Sequence, residues 1–123
     1  MGIILENTFK EDVPMNKIFI IGRIAKEAEL KTTEENKKSY TKFPVAVDAG
    51  YTNKQGEKVT DFFQVSLWGK PAEALTPYLN KGKLVSIIGS LRNHSYENKE
   101  GNKKYYTEIL AEEVKFLEYS KAE

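Results

Sequence analysis

The chain has 123 residues, 40% of them hydrophobic and 30% charged, which suits one domain around one core. It contains no cysteine, which excludes disulfides, thiol nucleophiles and cysteine-bound zinc and fits a reducing cytoplasm, the expected location. The net charge of +1 hides an uneven distribution: residues 1–14 and 112–123 each carry −2, leaving +5 on residues 15–111, a modest footprint for a polyanion.

Residues 1–14 read as an extension ending at Pro14. The run Gly2-Ile3-Ile4-Leu5 is too short for a signal peptide. Glu6 breaks the myristoylation pattern, and no apolar run is long enough to cross a membrane.

Strand-like segments follow. Asn16 to Ala25 is rich in Ile and Phe, with Gly22 inside it. Tyr40 to Asp48 alternates, with Phe43, Val45 and Val47 on one side. The turn-rich stretch Thr52 to Glu57 leads into a third strand, Val59 to Trp68. A helix is expected from Pro71 to about Leu79, with Ala74, Leu75, Tyr78 and Leu79 as its apolar stripe. Pro77 removes a backbone hydrogen bond, so a kink or a 3₁₀ finish is expected. A long strand then runs from Lys83 to Tyr96 around Gly89. After the turn Glu97 to Asn102 come Lys104 to Ala111 and a short piece, Val114 to Leu117. Gly22 and Gly89 weaken their strands unless the sheet coils there, which points to a small closed barrel. Three strands, a short helix and two further strands is the order of a five-stranded, all-β OB-fold barrel. The single domain is expected over 15–118, with a short end at 119–123.

Side chains alternate faces along a strand. In the third strand Phe63, Val65 and Leu67 face inward, and Phe62, Gln64, Ser66 and Trp68 face outward. Burying Gln64 and Ser66 unpaired would cost about 1–3 kcal/mol each, so this face is expected to be partly wet. In the next strand Val85, Ile87 and Leu91 face inward. Ser86, Ile88, Ser90, Arg92, His94 and Tyr96 face outward. Two large aromatics on one wet strand face, beside Arg92 and Tyr96 on another, make a stacking platform with cations, which suits single-stranded nucleic acid. Each residue also has a plainer reading. Phe62 and Trp68 could be covered by the helix or a partner subunit, Tyr96 could brace a turn, and Tyr51 and the lysines could be ordinary surface. The lone His94 reads as a surface contact. No Walker loop, GxGxxG, nucleophile elbow or metal-ligand cluster occurs, so no enzyme, metal or cofactor is expected.

These segments resemble a known family, the bacterial and phage single-stranded DNA-binding proteins. The resemblance is carried by Met15-Asn16-Lys17-Ile18-Phe19-Ile20-Ile21-Gly22-Arg23 and by Asp61-Phe62-Phe63-Gln64-Val65-Ser66-Leu67-Trp68-Gly69-Lys70. It continues through Tyr78-Leu79-Asn80-Lys81-Gly82, Gly89 with Leu91 and Arg92, and Gly101 with Tyr105 and Thr107-Glu108. It implies an OB barrel and a homotetramer built as a dimer of dimers. It implies sequence-independent coating of single-stranded DNA in replication, recombination and repair, without catalysis. Its stacking aromatics fall at Tyr51, Phe62, Trp68 and Tyr96, and its basic contacts at Lys70, Lys81 and Arg92. It also places Phe63 near a dimer interface, where strand parity places it inward. The family's acidic, hydrophobic tail tip is not matched by Tyr119 to Glu123, which puts tail-mediated recruitment of replication and repair proteins in doubt. A different reading of the same aromatic face is a primosomal or protein-interaction OB module that binds nucleic acid weakly. RNA binding in the cold-shock style is a third.

Overall fold

Alternating β-branched and aromatic residues carry most of the chain into strands. The computed structural model describes residues 15–118. The expected extension at 1–14 and the end at 119–123 lie outside the described residues. Six strands follow in order: β1 (Ile18–Ile24), β2 (Glu29–Thr32), β3 (Ser39–Thr52), β4 (Lys58–Trp68), β5 (Leu84–Glu97) and β6 (Lys103–Phe116). A helix, α1 (Lys70–Leu75), and a 3₁₀ turn (Thr76–Tyr78) stand between β4 and β5.

β1 pairs with β5, β5 with β6, β6 with β4 and β4 with β3. β3 returns to β1 through Arg23↔Ala46 and Ile24↔Val45. These pairings close the five-stranded barrel expected from the element order. The β4–β6 pairing is parallel and the others are antiparallel. β2 adds to the outer side of β3. Its four residues, Glu-Leu-Lys-Thr, are all exposed. They carry no alternation, so sequence reading has nothing there to detect, and the strand exists through its pairing with β3.

The interior is filled as parity requires. Phe43, Val45, Val65, Leu67, Val85, Ile87 and Ile109 are buried, together with Ile24 of β1. Burying each of these side chains contributes roughly 1.5–3 kcal/mol. Phe63 is half-buried and packs against this core. Gly22 and Gly89 stand where strands cross closely. A Cβ on Gly22 would lie 2.3 Å from the Ala46 carbonyl oxygen, and one on Gly89 would lie 2.2 Å from that of Leu110. Both glycines thus sit where a neighbouring strand's backbone leaves no room for a side chain, within the closed barrel that they pointed to.

Three expectations change. The two last segments, Lys104–Ala111 and Val114–Leu117, are one strand. Ile88 pairs with Glu113 and Gly89 with Ala111, so Glu112 is an extra residue opposite the Ile88–Gly89 step. This bulge breaks the alternation, and Ile109 and Ala111 are followed inward by Val114 and Phe116. Leu91 keeps its inward phase opposite Ile109 but is 41% exposed. β1 ends its pairing at Ile18↔Gly89, two residues short of Leu91. There the Asn16 side chain stands in for backbone, donating to the Leu91 carbonyl and accepting from its N–H at 2.8 and 3.0 Å. The helix is shorter than expected and finishes as a 3₁₀ turn at Pro77, as the missing N–H requires. The buried stripe also differs from the expected one: Ala72, Thr76 and Leu79 are buried with Leu75 partly so, an ordinary helical spacing, while Ala74 and Tyr78 are exposed.

Two hairpins leave the barrel with matched turns. Asn53 Oδ1 accepts from the N–H groups of Gln55 and Glu57, at 2.9 and 3.0 Å. Asn98 Oδ1 accepts from those of Glu100 and Asn102, at 3.0 and 2.8 Å. Gly56 and Gly101 occupy the same place in each turn, with φ of 80° and 84°.

Candidate nucleic-acid interface

Residues directly opposite each other in a sheet share a face. The register therefore joins Tyr40, Lys42 and Pro44 of β3 to Trp68, Ser66 and Gln64 of β4. Ser66 is level with Leu110 of β6, and Glu108 and Tyr106 of β6 are level with Arg92 and His94 of β5. One outer face thus runs across four strands of the barrel. Phe62 and Trp68 lie at its two ends along β4, six residues and about 20 Å apart.

The outward reading holds for Phe62, which is 66% exposed, and for Trp68, which is 38% exposed. It fails for Ser66, which is fully buried with no hydrogen-bond partner for its hydroxyl. The reason is an ion pair that crosses β4. Lys42 Nζ of β3 lies 3.7 Å from Glu108 Oε2 of β6, and Ser66 sits between their strands. Parity identifies the face but not its depth.

Trp68 owes its pose to its neighbour. Its indole stacks on Tyr40, with centroids 4.7 Å apart and planes at 22°. Trp68 also borders a groove of about 660 Å³ lined by Lys37, Lys38, Lys70, Ser39, Glu73 and Leu110. Glu73 in that groove accepts a hydrogen bond from Ser39 Oγ at 2.6 Å. Three lysines therefore share the groove with the indole, and Glu34 and Glu35 line a neighbouring groove that Trp68 also borders. Tyr40 borders a second groove of about 480 Å³. It is lined by Lys26, Lys31, Lys42, Pro44 and Gln64, with Glu27 and Glu29 at its acidic edge.

The remaining site residues named from sequence are spread over the surface. Tyr51 is exposed on the β3–β4 hairpin. It follows an Asx turn in which Asp48 Oδ1 accepts from Gly50 N–H at 2.8 Å. A register shift between Asp48 and Thr52 re-aims the strand there. Tyr96 is exposed near the tip of the β5–β6 hairpin. Arg92 is exposed on the aromatic face, opposite Glu108. Lys70 opens α1 and lines the Trp68 groove. Lys81 lies exposed in the turn before β5 and lines neither groove. Tyr40, Lys37, Lys38, Lys42 and Tyr106 were not singled out from sequence. Tyr40 and Lys42 were accessible to parity, since they alternate with buried Thr41 and Phe43.

His94 and Glu108 form the polar centre. His94 Nε2 lies 2.8 Å from Glu108 Oε1, and Glu108 is 6% exposed. The two clear pKa shifts fall elsewhere. Arg23 is raised and Glu118 lowered, first by the hydrogen bonds joining them at 3.0 and 3.1 Å. Among the described residues no cluster could hold a metal ion, and no helix is long and apolar enough to cross a membrane.

Comparison with known proteins agrees with this geometry. The chain is 45% identical over 105 residues to a single-stranded DNA-binding protein of Clostridium tetani, covering 85% of this chain and 72% of that one. It is 42% identical over 107 residues to single-stranded DNA-binding protein 1 of Clostridium acetobutylicum, covering 87% and 97%. It is 38% identical over 104 residues to single-stranded DNA-binding protein 1 of Staphylococcus aureus, covering 85% and 66%. Residues 15–117, all of the barrel, match the model of the single-strand binding protein family, and the chain belongs to that family.

Proposed function

We propose that the chain binds single-stranded DNA without sequence preference, serving replication, recombination and repair as a binding protein without catalysis. The observation that carries this is the Trp68 groove: an aromatic ring stacked on Tyr40 yet still 38% exposed, in a groove with Lys37, Lys38 and Lys70. Unpaired bases stack on such rings, and every base has a stacking face. Lysines supply phosphate contacts that carry no sequence information. Phe62, Tyr51 and Tyr96 extend the stacking surface, and Lys81 and Arg92 extend the basic one.

The working unit in this reading is a homo-oligomer, a dimer of dimers. Phe19 and Ile21 expose apolar side chains on the outer face of β1, and β1 pairs with β5 alone from Ile18 to Gly22. Such a face and edge suit a second copy.

Fluorescence anisotropy with labelled oligo-dT, oligo-dA and a duplex of equal length tests the reading. Both single strands are expected to bind far more tightly than the duplex. Each should show a log–log salt slope near −0.7 per phosphate contact. Equal binding to duplex and single strand would overturn it.

A further inference from the structure

The geometry points to Tyr106 as a further stacking position for an unpaired base, held in place by His94 and, through it, by Glu108. This rests on the reading that the chain binds single-stranded DNA, and it adds residues to that face that were not among the expected contacts.

Glu108 of β6 anchors this group. Its side chain is almost fully buried on an outer sheet face. Its Oε1 is 2.8 Å from His94 Nε2, while Oε2 has no hydrogen bond and only Lys42 Nζ at 3.7 Å. A buried carboxylate needs paired cations or donors, and here they come from β3 and β5, on either side of the strands it spans. These contacts hold the imidazole of His94. The ring then lies on Tyr106, directly opposite in the β5–β6 register, with centroids 4.9 Å apart and planes at 22°. Tyr106 in turn meets Tyr96, at 6.2 Å and 56°.

An exposed tyrosine ordinarily gives up rotamer freedom when a base stacks on it. Tyr106 has less left to give up, because its ring is already stacked on His94, with Tyr96 approaching at a tilt. Preorganisation of this kind raises affinity by lowering the ordering cost. Tyr106 remains 43% exposed, so part of its ring is open to a ligand. The Glu108 carboxylate is buried and already faces His94 and Lys42, so what this part of the surface offers a nucleotide is the aromatic ring of Tyr106, with Arg92, opposite Glu108, beside it for a phosphate. Glu108 is thus a positioning residue, and His94 and Tyr106 form the stacking unit with Tyr96.

His94 is the chain's single histidine and Trp68 its single tryptophan, so each reports on its own part of the face. The experiment follows the His94 ring-proton NMR resonances and the Trp68 fluorescence while oligo-dT is added to the full chain. In wild type both signals should respond, the His94 resonances starting from values shifted by the Tyr106 ring current. Tyr106→Leu should abolish that ring-current shift, keep the Trp68 response and lower affinity for a long oligonucleotide by roughly tenfold, the scale of one lost base stack. Glu108→Gln keeps an acceptor for His94, so it tests the charge with the hydrogen bond retained. It should weaken the ring-current shift less than Glu108→Ala. If Trp68 responds while His94 does not, and Tyr106→Leu binds like wild type, the inference is overturned and the binding function stands. If neither signal moves and anisotropy shows no binding, both fail.

Discussion

The indole of Trp68 lies flat on the phenol of Tyr40, its directly opposite neighbour across the β3–β4 ladder. Each ring borders a lysine-lined groove, Tyr40 one and Trp68 the other, and the indole is held by the stack while remaining 38% exposed. This arrangement separates two roles that exposure alone confuses. Tyr40 supports the indole, and Trp68 presents it.

Tyr40→Ala should therefore weaken binding without removing the contact residue. The lost aromatic pair is worth about 0.5–1.5 kcal/mol beyond its area. Urea unfolding followed by Trp68 emission should show that loss, and oligo-dT affinity should fall by several-fold. Tyr40→Phe keeps the stack and should behave nearly as wild type in both assays.

The close strand crossings make Gly89 and Gly22 intolerant of any side chain. Gly89→Ala places a Cβ 2.2 Å from the Leu110 carbonyl oxygen, and Gly22→Ala places one 2.3 Å from that of Ala46. Each should destabilise by roughly 1–3 kcal/mol or more through forced backbone movement. Thermal unfolding by circular dichroism checks this, with Lys99→Ala, on the exposed β5–β6 turn, as a control expected to stay within about 0.5 kcal/mol of wild type.

The two hairpin turns should respond alike because they are built alike. Asn53→Ala and Asn98→Ala each remove two hydrogen bonds to backbone N–H groups, and Asn53→Ala also removes an exposed one to the Glu57 carboxylate. A cost of about 1–2 kcal/mol is expected where the turn stays packed, and less where its N–H groups turn to water. Amide hydrogen exchange should speed up locally, at 53–57 in one variant and 98–102 in the other. Exchange that speeds up through the whole barrel would contradict this.

The Arg23–Glu118 pair sets an acid dependence of stability. Arg23 holds the Glu118 carboxyl below its ordinary value, chiefly by hydrogen bonding. A carboxyl whose folded pKa is lowered contributes stability above its unfolded pKa and loses it as pH falls through the folded pKa. Both groups are solvent-exposed, so the effect is small. Glu118→Gln should melt lower than wild type at pH 7, and the gap should close once the pH is below the folded value. Melting curves between pH 7 and 3 test the sign.

The barrel was legible because its interior obeys strict alternation. Phe43 and Val45, Val65 and Leu67, and Val85 and Ile87 each mark one wall. The helix finish at Pro77 was legible from the missing N–H alone. What escaped had no periodic signal or arose between strands. Glu29–Thr32 is uniformly exposed, and the Glu112 bulge shifts the phase within one strand. Ser66 looked wet because its cover comes from Lys42 and Glu108, which lie on two other strands. For the same reason sequence reading found Trp68 and Phe62 but not Tyr40 or Tyr106. A stacking partner across a ladder depends on register, which one strand's pattern does not contain.

The most direct test of the account is titration of the intact chain with oligo-dT while Trp68 fluorescence is recorded at several salt concentrations. The indole should be quenched to saturation, with affinity falling as salt rises. An indole indifferent to oligo-dT, with no complex detected by anisotropy, would contradict the account.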